Sequence, residues 1–191
     1  MKKINLLFSL LIAGVFALGQ NALTLTAITD FTTPDGGVTG KSIILTANQS
    51  IADLSIYELG TANNGGGTDS IEYTFPAISV SAGEHILLCR DSAALSNYFD
   101  GAMEQFPGAL LPTRIIENPG NYVVPDGNGN DAVELYENAV VIETYGETTW
   151  TKPSSHTGSQ SSYQGMSWGY LDSWAFKQGP STVGTHPAFT A

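Results

Sequence analysis

The densest run of oxygen donors in the chain is Asp126 to Glu137, DGNGNDAVELYE. Asp126, Asn128, Asn130, Glu134 and Glu137 occupy the first, third, fifth, ninth and twelfth places of that run, where a calcium loop presents its ligands. The sixth place departs from the pattern, because Asp131 stands where glycine makes the sharp turn. Ala132 onward also alternates as a strand, whereas a calcium loop leads into a helix. A turn entering a hairpin, with an acidic side chain pointing outward, accounts for the same residues without metal. These five residues are the candidate calcium ligands, and no other cofactor is implied.

Residues 53–77, DLSIYELGTANNGGGTDSIEYTFPA, hold two apolar patches apart by an Asn- and Gly-rich stretch. Gly65-Gly66-Gly67 lacks the order and the lysine of a phosphate loop, and no helix follows to hold an anion at its N-terminus. Asp53, Asn63, Asn64 and Asp69 offer oxygens to a cation. Asn and Gly are equally the residues that accept a left-handed backbone, so the stretch reads as a turn.

Catalytic constellations are scarce. His85, His156 and His186 are far apart, with no His pair at ligand spacing, no G-x-S-x-G elbow and no S-x-x-K. Glu134 and Glu143 have the spacing to face each other across a hairpin, at the roughly 5 to 10 Å that a glycosidase uses. A solvated face explains that pair more simply. Cys89 ends an apolar run, and His85 lies roughly 13 Å away along one strand, so the thiol reads as core. Trp174 and Phe176 alternate on one strand face and read as core too. Trp150 and Tyr163 border or sit inside a polar loop, which makes them the candidate ligand contacts, since exposed aromatics on a β-sandwich can stack on sugar rings.

The elements that must position these groups are short strands separated by turns. Leu23 to Ile28, Lys41 to Ala47, Ile71 to Phe75, Glu84 to Cys89, Ala132 to Glu137, Ala139 to Tyr145 and Leu171 to Lys177 read as strands. Asn138 divides two of them as a tight hairpin in left-handed conformation. Asp91 to Phe99 resembles a short helix, capped by Asp91 or Ser92, with Ala94, Leu95, Tyr98 and Phe99 on one face. Thr148 to Gly165 is poor in aliphatics and reads as a long surface loop. Regularly spaced short strands with Gly, Pro, Asn and Asp between them predict an all-β sandwich or barrel.

The first residues set the compartment. Lys2 and Lys3 precede the apolar run Ile4 to Leu18, and Ala17-Leu18-Gly19 is a small-x-small cleavage site before Gln20. The run is shorter than the roughly 20 residues a membrane-spanning helix needs. Residues 1–19 are therefore predicted to be a secretory signal peptide and 20–191 one mature domain, secreted, periplasmic or at the cell surface, with no membrane span after cleavage. The chain carries a formal charge of −11. Removing Lys2 and Lys3 from its seven basic residues leaves five against 18 acidic ones, a formal charge of −13. Phosphate backbones are bound by Lys and Arg, so nucleic acid is not an expected partner. A single cysteine cannot close a disulfide within the chain, and stability must come from a core.

Ile51-Ala52-Asp53-Leu54-Ser55 with Tyr57, then Ala62 to Asp69, Glu72-Tyr73-Thr74-Phe75-Pro76 and Ser81-Ala82-Gly83, resembles the lamin tail domain in its bacterial secreted form. Asn130 to Tyr136 and Trp168 to Phe176 look like closing segments of the same family. The resemblance covers essentially the whole mature chain and implies an immunoglobulin-like β-sandwich, here with one short helix and a long C-terminal loop. It further implies an accessory domain of exported proteins, although the basic surface that chromatin binding would use is missing. The expected function is a non-catalytic binding or scaffold module, attaching to protein or to cell-surface or matrix material such as surface polysaccharide. A carbohydrate- or calcium-dependent binding sandwich is the alternative, followed by a small secreted hydrolase in which His156 or another histidine meets carboxylates in a cleft.

Overall fold

The structure is a computed structural model that describes residues 21–34, 36, 38–99, 112–119, 124–163, 165–178 and 188–190. The predicted signal peptide and His186 lie outside the described residues. Ten strands and one α-helix are found among those described: β1 (Leu23–Phe31), β2 (Gly40–Ala47), β3 (Tyr57–Ala62), β4 (Tyr73–Thr74), β5 (His85–Cys89), α1 (Ser92–Tyr98), β6 (Arg114–Glu117), β7 (Ala132–Glu137), β8 (Val140–Tyr145), β9 (Trp174–Gln178) and β10 (Ala188–Thr190). They build a six-stranded sheet, β10-β9-β1-β2-β5-β6, and a four-stranded sheet, β4-β3-β7-β8. Neighbours are antiparallel except β5 and β6, which run parallel. The chain is all-β with two sheets packed as a sandwich, as the strand pattern predicts.

The core lies between the sheets. Leu25, Ile43, Leu45, Ile86 and Leu88 from the larger sheet meet Tyr57, Leu59, Val133, Leu135 and Tyr145 from the smaller, all buried. Each such side chain contributes about 1.5–3 kcal/mol by leaving water.

Strand β1 does not keep the simple alternation its sequence suggests. A bulge between Leu25 and Ala27 shifts its register on β2, so Leu25 opposes Leu45 but Ala27 opposes Ile44. The extra residue turns Ile28 into the inter-sheet core and sends Ala27 and Phe31 to the outer face. There Ala27, Phe31, Ile44, Leu87 and Cys89 form a second apolar layer, covered by Leu95 of α1. The helix starts where expected, with the Asp91 carboxylate accepting from the Ala94 amide at 2.9 Å.

Trp174 departs from its expected burial. On β9 it is Ala175 that enters the inter-sheet core, so Trp174 points outward, 38% exposed and tilted against Phe31 at 5.7 Å. Phe176 shares that outer face and packs against the layer beneath α1. Alternation identified a shared face but not which face it was.

β6 and β10 are further strands that the sequence pattern does not predict, and two strands of the smaller sheet differ from expectation. The predicted strand Ile71 to Phe75 contracts to β4, where Tyr73 and Thr74 pair with Leu59 and Glu58, while the Glu72 and Phe75 amides donate to the Leu59 and Tyr57 carbonyls on either side. β3, YELGTA, has no sequence signal of its own, since Gly60 interrupts the apolar pattern. A Cβ on Gly60 would stand 2.6 Å from the Ser70 carbonyl oxygen, so the close crossing of residues 70–72 requires glycine there. The β7–β8 hairpin forms as predicted, with both Asn138 (φ 50°) and Ala139 (φ 63°) left-handed, as a two-residue mirror-image turn demands.

Candidate functional site

Four of the five candidate calcium ligands engage a partner within the chain through an oxygen, whereas Asn130 does so through its Nδ2 and its buried Oδ1 has no hydrogen-bond partner among the described residues. Asp126 forms an ion pair with Arg90 at 3.2 Å. The Asn128 Oδ1 accepts from the Lys41 ammonium at 3.1 Å, and the Asn130 Nδ2 donates to the Gln160 carbonyl at 2.6 Å. Glu134 accepts from the Thr68 hydroxyl at 2.6 Å, and Glu137 from the Tyr57 phenol at 3.2 Å. Burial first, then the Glu137 charge, pushes the Tyr57 phenol up to about 12. Glu134 and Glu137 are three residues apart on one strand, which puts them on opposite faces of the sheet. Among the described residues no group of three or more His, Cys, Asp or Glu is arranged to hold a metal ion.

What residues 126–131 do instead is tie the two sheets together at one end. Lys41 and Asp30, cross-strand neighbours on β2 and β1, form a buried ion pair at 2.9 Å. The Lys41 ammonium also donates to the Gly127 carbonyl at 2.8 Å, and the Gly129 amide donates to Asp30 at 2.9 Å. Asp131 accepts from the Asn64 and Asn128 amides, each at 2.7 Å. Burial raises its pKa, and those two amide bonds oppose the shift.

The Gly-rich stretch is the turn that its composition suggests, and it has a second task. Asn64, Gly65 and Gly67 all have positive φ, at 53°, 73° and 94°. A Cβ on Gly65 would lie 2.3 Å from the Trp150 carbonyl oxygen and 2.9 Å from its indole Cδ1, so glycine lets Trp150 seat against the turn. The Gly67 amide donates to the Thr148 carbonyl at 2.8 Å, and the Gln160 amide donates to the Asn64 carbonyl. These bonds fasten the long loop, residues 148–163, at both ends.

That loop brings together the two predicted ligand contacts. Trp150 and Tyr163 have ring centroids 5.6 Å apart with planes 33° from parallel. The His156 ring packs edge-on to Tyr163 at 5.2 Å, and its Nε2 faces the Ser162 hydroxyl at 3.5 Å. Beside the pair opens a pocket of about 330 Å³, lined by Glu147, Trp150, Thr151, Tyr163, Met166 and Trp168, with Gly165 and Ser167. Trp168 is a buried wall: it stands edge-on to Tyr145, whose phenol donates to the Trp168 carbonyl. Glu147 and Met166 were not legible as pocket residues, because each carries an ordinary surface or loop signature and only the loop's return places them here.

A second pocket, of about 370 Å³, opens near the sheet-tying loop and includes Thr61, Asn63, Glu72, Asp126, Asn128 and Asp131. Burial raises the Glu72 carboxyl there against the lowering effect of its bond to Thr61. Its Asp126, Asn128 and Asp131 are the groups already bonded to Arg90, Lys41 and backbone amides.

The possible catalytic pairings do not assemble. Glu143 opposes Leu135 on the inward face of the hairpin, whereas Glu134 points to the outer face, so the two carboxylates do not face each other as the hairpin spacing allowed. The bulge between Leu135 and Tyr136 does not alter this, because it falls after both positions on β7. Cys89 is wholly buried, and desolvation pushes its thiol up to about 12, with Glu117 and Asp91 adding to the shift. The His85 ring bonds Thr46 at 2.9 Å.

No protein-family model, curated protein or solved structure matches the chain. Its class rests on the fold alone: a two-sheet all-β sandwich with an aromatic-lined pocket held by a turn-anchored loop.

Proposed function

We propose that this protein is an exported, non-catalytic binding or scaffold module that attaches to protein or cell-surface material through the Trp150–Tyr163 loop. The observation that carries this reading is the convergence of Trp150, Tyr163 and Trp168 on one open pocket, while Asp126, Glu134 and Glu143 are bonded within the chain. Loops positioned by a rigid sandwich are where such modules place their contacts. The lamin-tail resemblance, with the immunoglobulin-like topology it implies, and the signal-peptide-like start support an exported accessory role. The experiment is co-sedimentation of the protein with cell-envelope material, comparing wild type with Tyr163→Ala. Attachment that falls in the variant supports the reading, and attachment indifferent to Tyr163 removes this pocket from it.

A further inference from the structure

We propose that the pocket between Trp150, Tyr163 and Trp168 receives an uncharged sugar ring of a polysaccharide and does so without calcium, a proposal that rests on the binding-module reading above. At about 330 Å³ the pocket is at the small end of ligand sites, which run from roughly 300 to 1,000 Å³. That suits one sugar unit with its neighbours passing along the rim.

The walls have the two-sided character of a pyranose. Trp150 and Tyr163, in ring contact at 5.6 Å and inclined by 33°, both line the pocket and make its aromatic platform. Ring faces carry the negative part of the aromatic quadrupole, and the C–H groups of a sugar's apolar face are its complement. Glu147, Thr151 and Ser167 also line the pocket, and a carboxylate and two hydroxyls are groups that pair with a sugar's hydroxyls. A hydroxyl donating to Glu147 makes a charge-assisted bond.

Charge selects among sugars. No Lys or Arg lines the pocket among the described residues, while Glu147 does. The neighbouring Lys152 turns its ammonium to the Gly158 carbonyl. A uronate, sulfate or phosphate would therefore meet a carboxylate and a chain of formal charge −11 with no cation opposite. A protein partner is less well matched, because the feature is a small concavity rimmed by polar groups and not a broad apolar patch.

The platform is also ordered in advance. Gly65 seats Trp150, the Gly67–Thr148 bond fixes the loop's start, and His156 braces Tyr163. A pre-ordered aromatic pair avoids much of the entropy cost of binding.

The test is affinity electrophoresis of the full exported chain in gels cast with soluble neutral glucan, mannan, galactan or xylan, and with alginate or polygalacturonate as anionic probes. Each is run with calcium and with a chelator, beside envelope co-sedimentation. Retardation by at least one neutral polysaccharide is expected, equal with calcium and chelator. Tyr163→Ala should weaken it roughly tenfold, and Tyr163→Phe, which keeps the ring, should restore it. Glu147→Ala should weaken it while leaving thermal unfolding unchanged, which separates a contact from a fold defect. The proposal is overturned by retardation on anionic probes alone, by retardation that needs calcium, by neutral binding indifferent to Tyr163→Ala, or by no neutral binding. If envelope attachment still depends on Tyr163 when no neutral polysaccharide binds, the sugar proposal fails and the binding-module reading stands. If attachment is also indifferent to Tyr163, both fail.

Discussion

Lys177 on β9 and Glu143 on β8 meet at 2.8 Å inside the sandwich, an ion pair that joins the two sheets. The Glu143 side chain is wholly buried, and its second oxygen accepts from the Leu25 amide at 2.9 Å, beside the bulge in β1. One carboxylate thus satisfies both a buried ammonium and a buried backbone N–H beside the bulge. Removing one partner leaves the other charge buried alone.

Glu143→Ala is expected to lower unfolding free energy by about 3–5 kcal/mol, and Lys177→Ala by a similar amount. The double replacement Glu143→Leu with Lys177→Met should recover part of the loss, because no charge is left buried, while the Leu25 amide still lacks its acceptor. Denaturant midpoints for the two alanine variants and for their double alanine combination give the coupling, and additive losses there would mean that the pair is not coupled.

Gly65→Ala forces a side chain into a left-handed residue and into the backbone of Trp150. The expected loss is about 1–3 kcal/mol, accompanied by a change in tryptophan emission as Trp150 leaves its seat. Gly83→Ala serves as the control. It has a comparable φ of 86° but nothing within 4 Å of its Cβ, so it should cost stability without moving the emission.

Alkaline pH should unfold the protein through its buried weak acids. Cys89 is pushed from 9.0 up to about 12, and Tyr57 and Tyr136 from 10.0 up to about 12, in each case chiefly by burial. The unfolded chain releases these protons at their ordinary values while the folded chain keeps them. Their contribution is therefore complete below pH about 9 and falls as pH rises from there towards about 12. For the Cys89 proton alone the slope is about 1.4 kcal/mol per pH unit within that window. Urea midpoints measured from neutral to alkaline pH, followed beside phenolate absorbance, should fall together; a flat midpoint with early phenolate formation would contradict the burial argument.

Calcium should leave thermal unfolding unchanged, because Asp126 faces Arg90, Asn128 faces Lys41, and Glu134 and Glu137 lie on opposite faces of β7. A bound ion at about 100 times its Kd would raise Tm by roughly 5–10 °C in a chain of this size. A rise of that order, lost in Asp126→Ala, would show that residues 126–137 rearrange around metal.

Much of the architecture is legible residue by residue. Ala132 to Glu137 is a strand within the predicted bounds, Asn138 turns it back, and Asp91 caps the helix, because each signal acts over a few residues. Trp150 and Tyr163 stood out for the same local reason, two large rings in a polar loop, and the fold brings them to 5.6 Å. Local pattern could not assign Trp174 to a face, because alternation carries a period but no direction. Nor could it read the bulge in β1, which depends on what β2 offers opposite.

The partners of the charged groups lie further from local reach. By itself the sequence determined most of the short strands, the turns between them, the acidic balance and the absence of an intrachain disulfide, since composition and nearest neighbours decide these. Only the tertiary structure decided that Asp126 serves Arg90, that Glu143 faces inward to Lys177, and that Gly65 makes room for Trp150. A buried charge or a close backbone approach is settled by whichever distant segment the packed sheets bring against it, and spacing along one strand holds no record of that neighbour.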